Sequence, residues 1–594
     1  MKSPTLLLVA ALSLGLLRAA EPPHNVRDVF APVWVGRPPS DAISGLVRLE
    51  NGEIRHYDYG FDPTPEIHHH PDFLATSYIF SKDQGLTWET KQVPPGHFGA
   101  DIRSPISGEY LRLQTKADGV YAIKTKGGID GEWTMRRVWE VPIRGPELNL
   151  TRSVVFTRGG KRALVPWCTM HRFPPDFRNQ VGTLYSDDDG ETWQHSNLIE
   201  PPAHVPNERD QAVRWQNGGY EPTVVELRDG RVWMLIRTSL DYHYQSFSND
   251  GGATWSAPEP SPFYGTLTDP TIGRLRDGRL LFLWNNTLPL PEFPRNKFTD
   301  PYIPASAADG SGEDVFTNRD ALHGAISSDD GKTWQGFREL LLNSRRNDRN
   351  YGETSGLDRS VHQPQFVQVE GDRVLVSTGQ HWLHRSLFLF APDWLLETKR
   401  RSDFSNDLED WSVQGYLRGI RGHCSFNRFE SSTLLPHPDD AKRKVLQVRT
   451  NGRKDAIFPH GGATWNFPNG QSGFVEIRLR LGKDFGGAQL NLLDRWVNPT
   501  DPTVSSPANF HVDLPAQGGL ADKLGQKWHT LRLTWKGVVA GAQCTMTLDG
   551  EPLDPLVIQH PANHGLSYLH LQSTSEKPDG GFLLESVQAE VSPK

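Results

Sequence analysis

The chain has 594 residues, 23% of them charged and 36% hydrophobic, with a formal net charge of −8. That length exceeds one ordinary core, so two or more domains are expected, and the acidic balance argues against a nucleic-acid scaffold, which carries a basic stripe. The 45 prolines and 55 glycines are scattered, as many short strands joined by turns require, rather than gathered into disordered runs.

At the N-terminus, Lys2, the apolar run LLLVAALSLGLL at 6–17 and the small residues Ala19 and Ala20 predict an export signal over residues 1–20. The run is too short to span a bilayer and no other segment is long and apolar enough. The mature chain is therefore expected to be secreted or periplasmic, with no membrane span after signal removal. Cys168, Cys424 and Cys544 allow at most one disulfide and have no zinc spacing.

A short motif then recurs along the chain. It reads SKDQGLTW at 81–88, SDDDGETW at 186–193, SNDGGATW at 248–255 and SSDDGKTW at 327–334. In the pattern S-x-D-x-G-x-T-W, the Asp can bond the amides of its own turn. The Gly supplies a backbone conformation that other residues resist, and the Trp offers a large apolar face to a neighbouring sheet. Beside it runs a second repeat: YEPTVVELRDGRVWMLIR at 220–237, TDPTIGRLRDGRLLFLWN at 268–285 and HQPQFVQVEGDRVLVSTG at 362–379, with looser copies at 43–59 and 152–167. Each copy predicts a hairpin of two strands around an Asp-Gly type of turn. The box then joins two outer strands, which makes a four-stranded blade. A degenerate box at 124–133 (KTKGGIDGEW) fills the wide gap between the first two, and 386–394 (SLFLFAPDW) occupies a sixth box position with the motif lost. The count predicts an all-β chain: a six-bladed β-propeller over residues 25–400, followed by a β-sandwich.

These boxes and this count resemble the Asp-box (BNR repeat) propellers of the sialidase (neuraminidase) superfamily, over about two-thirds of the mature chain. From residue 403 the boxes stop. Alternating segments such as GFVEIRLRL at 473–481 and WHTLRLTW at 528–535 predict further strands through residue 594. That pattern resembles the concanavalin/laminin-G-like jelly rolls that accompany such propellers.

Candidate site residues follow from the hairpin repeat. The residue before Pro in each copy (Glu221, Asp269, Gln363) holds one equivalent place at the start of an inner strand, where a ring of polar groups suits a sugar site. The run from Glu221-Pro222-Thr223 to Arg237 is similar to the sialidase segment whose Glu partners the nucleophilic tyrosine and whose Arg clamps the sialic-acid carboxylate, a task that suits a guanidinium. Arg319, before the box at 327, matches a further clamp arginine. The family's first clamp arginine is missing where the chain reads DAIS at 41–44, a loss of about 1.5–3 kcal/mol if it is one charge-assisted bond. His362 takes the place of the tyrosine nucleophile, and histidine suits proton transfer near neutral pH. Asp72 stands where the family has its acid/base aspartate, after His68, His69 and His70. Three adjacent histidines do not readily converge on one ion, so neither a metal nor a cofactor is expected.

The resemblance thus implies a glycosidase acting on a glycan or polysaccharide. Glu221, His362 and Asp72 would be catalytic, and Arg237, Arg319, Asp269, Gln363, Arg103 and His70 would contact substrate. His171, His243 and His381 could also face the pocket. Two alternatives stand beside an exo-acting hydrolase of a terminal acidic sugar: a lyase of uronic-acid polysaccharides, in which a histidine base and an arginine would suffice, and a non-catalytic glycan-binding propeller.

Overall fold

The computed structural model describes residues 32–39, 44–59, 74–116, 118–140, 147–150, 152–170, 178–205, 217–290, 318–342, 346–347, 360–379, 385–417, 428–578 and 580–592. Asp72, His68–70, His171, His381, Cys424 and the expected export signal lie outside these residues. Among the described residues, no helix is long and apolar enough to cross a membrane.

Six antiparallel sheets follow one another along the chain. Blades I and II span residues 46–92 and 102–140, each with four strands in chain order from inside to outside. Blade III spans 147–195 and has a split inner edge, since Glu147–Asn149 and Val155–Thr157 both pair with Arg162–Met170. Blades IV and V span 220–264 and 271–342. Blade VI takes three strands from 365–390 and its fourth from the other end of the chain, because Val33–Gly36 pairs with Ser386–Phe390. This explains the lost sixth box. A box joins the third and fourth strands of a blade, and here the fourth strand is not next in sequence, so no such turn is needed.

Buried clusters join each blade to the next. Val47 and Tyr57 of blade I pack with Tyr110 of blade II, and the series runs on to Leu375 and Leu387 of blade VI against Leu46 and Ile54 of blade I. A fully buried side chain of this kind contributes about 1.5–3 kcal/mol, so the inter-blade seams hold the propeller together.

The four boxes form the same turn. In each, the Ser hydroxyl donates to an Asp oxygen at 2.7–2.9 Å. The Thr amide and hydroxyl donate to the same carboxylate at 2.8–2.9 and 2.5–2.7 Å. Burial would raise these carboxyls, but the bonds hold Asp83, Asp188, Asp250 and Asp329 below the usual range. The box glycines have φ from +83° to +91° and face the preceding blade. A Cβ on Gly252 would come within 2.6 Å of Leu164, and one on Gly331 within 2.8 Å of Trp233. The degenerate box of blade II lacks the Asp, and Glu109 reaches in from the inner hairpin to replace it. Its carboxylate accepts from Thr125 Oγ1 at 2.6 Å and from the amides of Gly127 and Gly128 at 2.8 and 3.0 Å.

Beyond blade VI the chain builds a two-layer β-sandwich. One sheet has eight strands, beginning with Lys399–Ser402 on Phe582–Ser592, and the other has five. Trp411, Trp465 and Trp535 are fully buried between them. Helix in this part, among the described residues, is limited to Gly519–Leu524. The sandwich docks on blade V. Trp496 exchanges backbone bonds with Asn286 and Leu288 at 2.9 and 2.8 Å, and Asn466 accepts from the Glu339 amide at 3.1 Å.

Candidate active site

The residue before each Pro in the hairpin repeat sits at the start of an inner strand. Glu221 and Gln363 share a left-handed backbone, with φ of 37° and 55°. Such a conformation costs on the order of 1–3 kcal/mol for a residue with a side chain, and two blades adopt it at the same register. Strain of this kind persists where the surroundings over-determine it, and both side chains are buried.

Glu221, Arg237 and Asp269 form one buried cluster. Arg237 ends the strand paired with that of Glu221, in register with Tyr220, so its guanidinium returns to the Glu221 end. Its Nη1 donates to Glu221 Oε2 and, at 2.9 Å, to Asp269 Oδ1. Arg152 of blade III completes the group. Its Nη2 lies 3.3 Å from Asp269 Oδ2 and donates to the Pro270 carbonyl at 2.9 Å, and its Nη1 donates to the Pro364 carbonyl at 3.2 Å. One side chain thus ties blade III to blades V and VI across the propeller axis. All four side chains are less than a tenth exposed. Buried charges persist only when they are paired and hydrogen-bonded, and each guanidinium here meets a carboxyl.

The two carboxyls titrate as a pair. Burial, then the neighbouring Asp269, pushes Glu221 up to about 8, against the opposing effect of Arg237. Burial would also raise Asp269, but the hydrogen bond from Glu221 and the charges of Arg152, Arg237 and His362 hold it well below the usual carboxylate range. Within the pair, Glu221 therefore holds a proton more tightly than a free carboxyl does, and Asp269 less tightly. Burial pushes the neighbouring His243 down to about 4, and burial, followed by Glu221, pushes the Cys168 thiol up. Neither is charged at pH 7.

His362 is buried, lies within electrostatic reach of Asp269, and accepts through its carbonyl from Gly379 N and Thr378 Oγ1 at 2.9 and 2.8 Å. Arg319 is buried one step away. Its Nη2 donates to the Leu267 carbonyl at 2.7 Å and its own carbonyl accepts from Val361 N at 2.8 Å. Gln363 is 3% exposed beside Pro364, whose carbonyl also accepts from Thr271 Oγ1 at 2.6 Å. Arg103 is a correction to the sequence reading. It lies at the hairpin-turn end of its inner strand, half-exposed and paired with Glu50 at 3.0 Å, because that strand is only two residues long and the turn follows at once. Arg237 Nη1 is engaged by Glu221 and Asp269. Arg152 was missed. Its only signal is its place at the head of the loose hairpin copy at 152–167. Among the described residues, no group of three His, Cys, Asp or Glu is arranged to hold a metal ion.

The family described as BNR repeat-like domain matches residues 66–375. No curated protein matches the chain. Among solved structures, a protein of unknown function from Dyadobacter fermentans is 18% identical, covering 61% of this chain and 98% of its own, with a TM-score of 0.37. Trypanosoma rangeli sialidase in complex with sialic acid is 12% identical over 96% of this chain and 95% of its own, with a TM-score of 0.33. An exo-beta-1,3-galactanase from Phanerochaete chrysosporium is 10% identical over 94% of this chain and 100% of its own, with a TM-score of 0.28.

Proposed function

The chain belongs to the BNR repeat-like domain family, and from that premise we propose that it is a secreted glycan-processing enzyme, an exo-acting glycoside hydrolase of the sialidase superfamily that removes a terminal acidic sugar. In this reading residues 1–20 are an export signal, 25–400 the catalytic propeller and 403–594 a separate sandwich. The observation that carries it is the buried Glu221–Asp269 carboxyl pair under Arg237 and Arg152, at the inner-strand starts that His362 shares. A carboxyl that burial makes hold its proton more tightly than usual suits protonation of a leaving oxygen. Glu221, His362 and Asp72 carry the proton transfers and the attack. Arg237 and Arg319 supply the positive field for the sugar carboxylate, with Asp269, Gln363 and His70 beside it.

A second reading, a lyase acting on uronic acids, draws on His362, a base that needs no phenolate. Product chemistry separates the readings. Purified protein is incubated with sialosides and with uronic-acid polysaccharides. A reducing sugar released with no ultraviolet-absorbing product supports the hydrolase, an ultraviolet-absorbing unsaturated sugar supports the lyase, and binding without turnover sinks both in favour of a non-catalytic propeller.

A further inference from the structure

We propose that the β-sandwich completes the site, with Arg428, assisted by Tyr416, acting as a positioning residue for the 318–320 segment that carries Arg319. The two residues are cross-strand partners in a small ribbon, Gln414–Tyr416 against Arg428–Glu430, that belongs to neither large sheet. Arg428 Nη2 donates to both oxygens of Asp320, at 2.9 and 3.1 Å, and its Nη1 donates to the Arg346 carbonyl at 3.1 Å. The Tyr416 hydroxyl donates to Asn318 Oδ1 at 3.2 Å and to Asp320 Oδ2 at 3.3 Å. The Arg428 and Asp320 side chains are 2% and 4% exposed and spend their polar groups on one another and on the neighbouring backbone.

The neighbours of Asp320 give this pair its consequence. Arg319 is the preceding residue. Its guanidinium bonds Leu267, two residues before Asp269, and its carbonyl bonds Val361, which precedes His362. The ribbon thus grips one side of a three-residue segment whose other side bonds the stretches that lead through Asp269 and His362 into the inner strands of blades V and VI. Buried ion pairs are weak stabilisers compared with apolar packing, and their better-attested use is to fix one arrangement. A guanidinium fork suits that use because it sets direction as well as distance.

The catalytic consequence rests on the proposed function, whereas the mechanical coupling does not, and the test separates them. Amide hydrogen exchange is followed in the full chain for wild type, Arg428→Ala, Arg428→Lys and Tyr416→Phe, the last of which removes only the hydroxyl and serves if Arg428→Ala fails to fold. Exchange is expected to quicken in peptides covering 318–326 and 360–368, most in Arg428→Ala and least in Tyr416→Phe, with blade I peptides over 77–92 unchanged. A chromogenic sialoside is assayed alongside. KM is expected to rise by about tenfold with kcat changed less than about threefold, the pattern of lost ground-state binding at Arg319. If wild type does not cleave the sialoside, the proposed function fails on that substrate and the exchange result alone decides the coupling. Unchanged exchange in both segments overturns the proposal. So does faster exchange throughout the chain, which would make Arg428 a general staple.

Discussion

Glu221 sets the pH behaviour of the candidate site. Its pKa is raised from 4.5 to about 8, with burial the main cause. The folded state therefore holds a proton that the unfolded chain releases above its ordinary value. By linkage, this contribution to stability is fully present below about 4.5 and is lost as pH rises through about 8. Glu221→Gln keeps an amide donor for Asp269 and cannot ionise. The buried histidines act in the opposite sense over the same window, so the readout is a difference: in denaturant titrations the stability of wild type relative to the variant should fall as pH rises from about 4.5 to about 8, and parallel profiles would rule out a proton stored at Glu221. The same substitution should lower turnover by roughly 10²–10⁴-fold if Glu221 acts in proton transfer. His362→Ala should do likewise, and full activity in both variants would remove the assigned mechanism.

At the scale of the elements, the box turn does two separable things. Its Asp satisfies the turn's own donors, and its Gly lets the preceding blade approach. Asp250→Ala leaves the Thr254 amide and hydroxyl and the Ser248 hydroxyl without their acceptor, and at about 0.5–1.5 kcal/mol for each of the three bonds a loss of about 1.5–4.5 kcal/mol is expected. Gly252→Ala adds a methyl within 2.6 Å of Leu164 at φ +91°, which should destabilise by about 1–3 kcal/mol from overpacking, in addition to strain. Gly230→Ala is the control. Its φ is +87° but a Cβ there meets nothing within 4 Å, so only the strain, about 1 kcal/mol, remains. Calorimetric melting of the three variants orders them, and an equal loss in Gly252→Ala and Gly230→Ala would dismiss the packing argument. Removal of residues 1–37 tests the sixth blade. It strips Val33–Gly36 from Ser386–Phe390 and leaves an open, apolar edge strand, so lower melting and aggregation are expected in light scattering.

The whole molecule is built to lose stability in acid. Burial pushes His56, His243, His564 and His570 down to about 4 and His323 to about 3, so all five are neutral in the folded chain at pH 7. The unfolded chain takes up protons near 6.5, and the folded chain does not until about 4. Their contribution is therefore present above about 6.5 and is lost as pH falls toward 4. His323 adds a link between the two halves, since it bonds Tyr568 of the sandwich, which donates to Glu339 at 2.9 Å. Equilibrium unfolding at pH 7, 6, 5 and 4 should show a steep decline, with His323→Gln less steep. A flat response would mean that these rings are solvated.

Sequence alone determined the repeating unit, because the box and hairpin are local. An Asp that caps its own turn, a Gly at positive φ and a period-two strand depend on residues a few places apart, and four copies made the blades countable. It also marked Glu221, Asp269 and Gln363 as equivalent, since one register repeated in three hairpins fixes where each residue before Pro must stand. Only the tertiary structure decided how those places are occupied. Arg152 reaches the axis from a loose copy with no motif of its own, Arg103 falls at the far end of a short strand, and Arg237 meets two carboxyls from different blades. Glu109 replaces a missing Asp 16 residues before Thr125, and residues 33–36 finish a blade begun at 365. Glu109 acts within its own blade, but the others depend on segments far apart in the chain and on where closing the ring brings the blades together, and no local pattern encodes them.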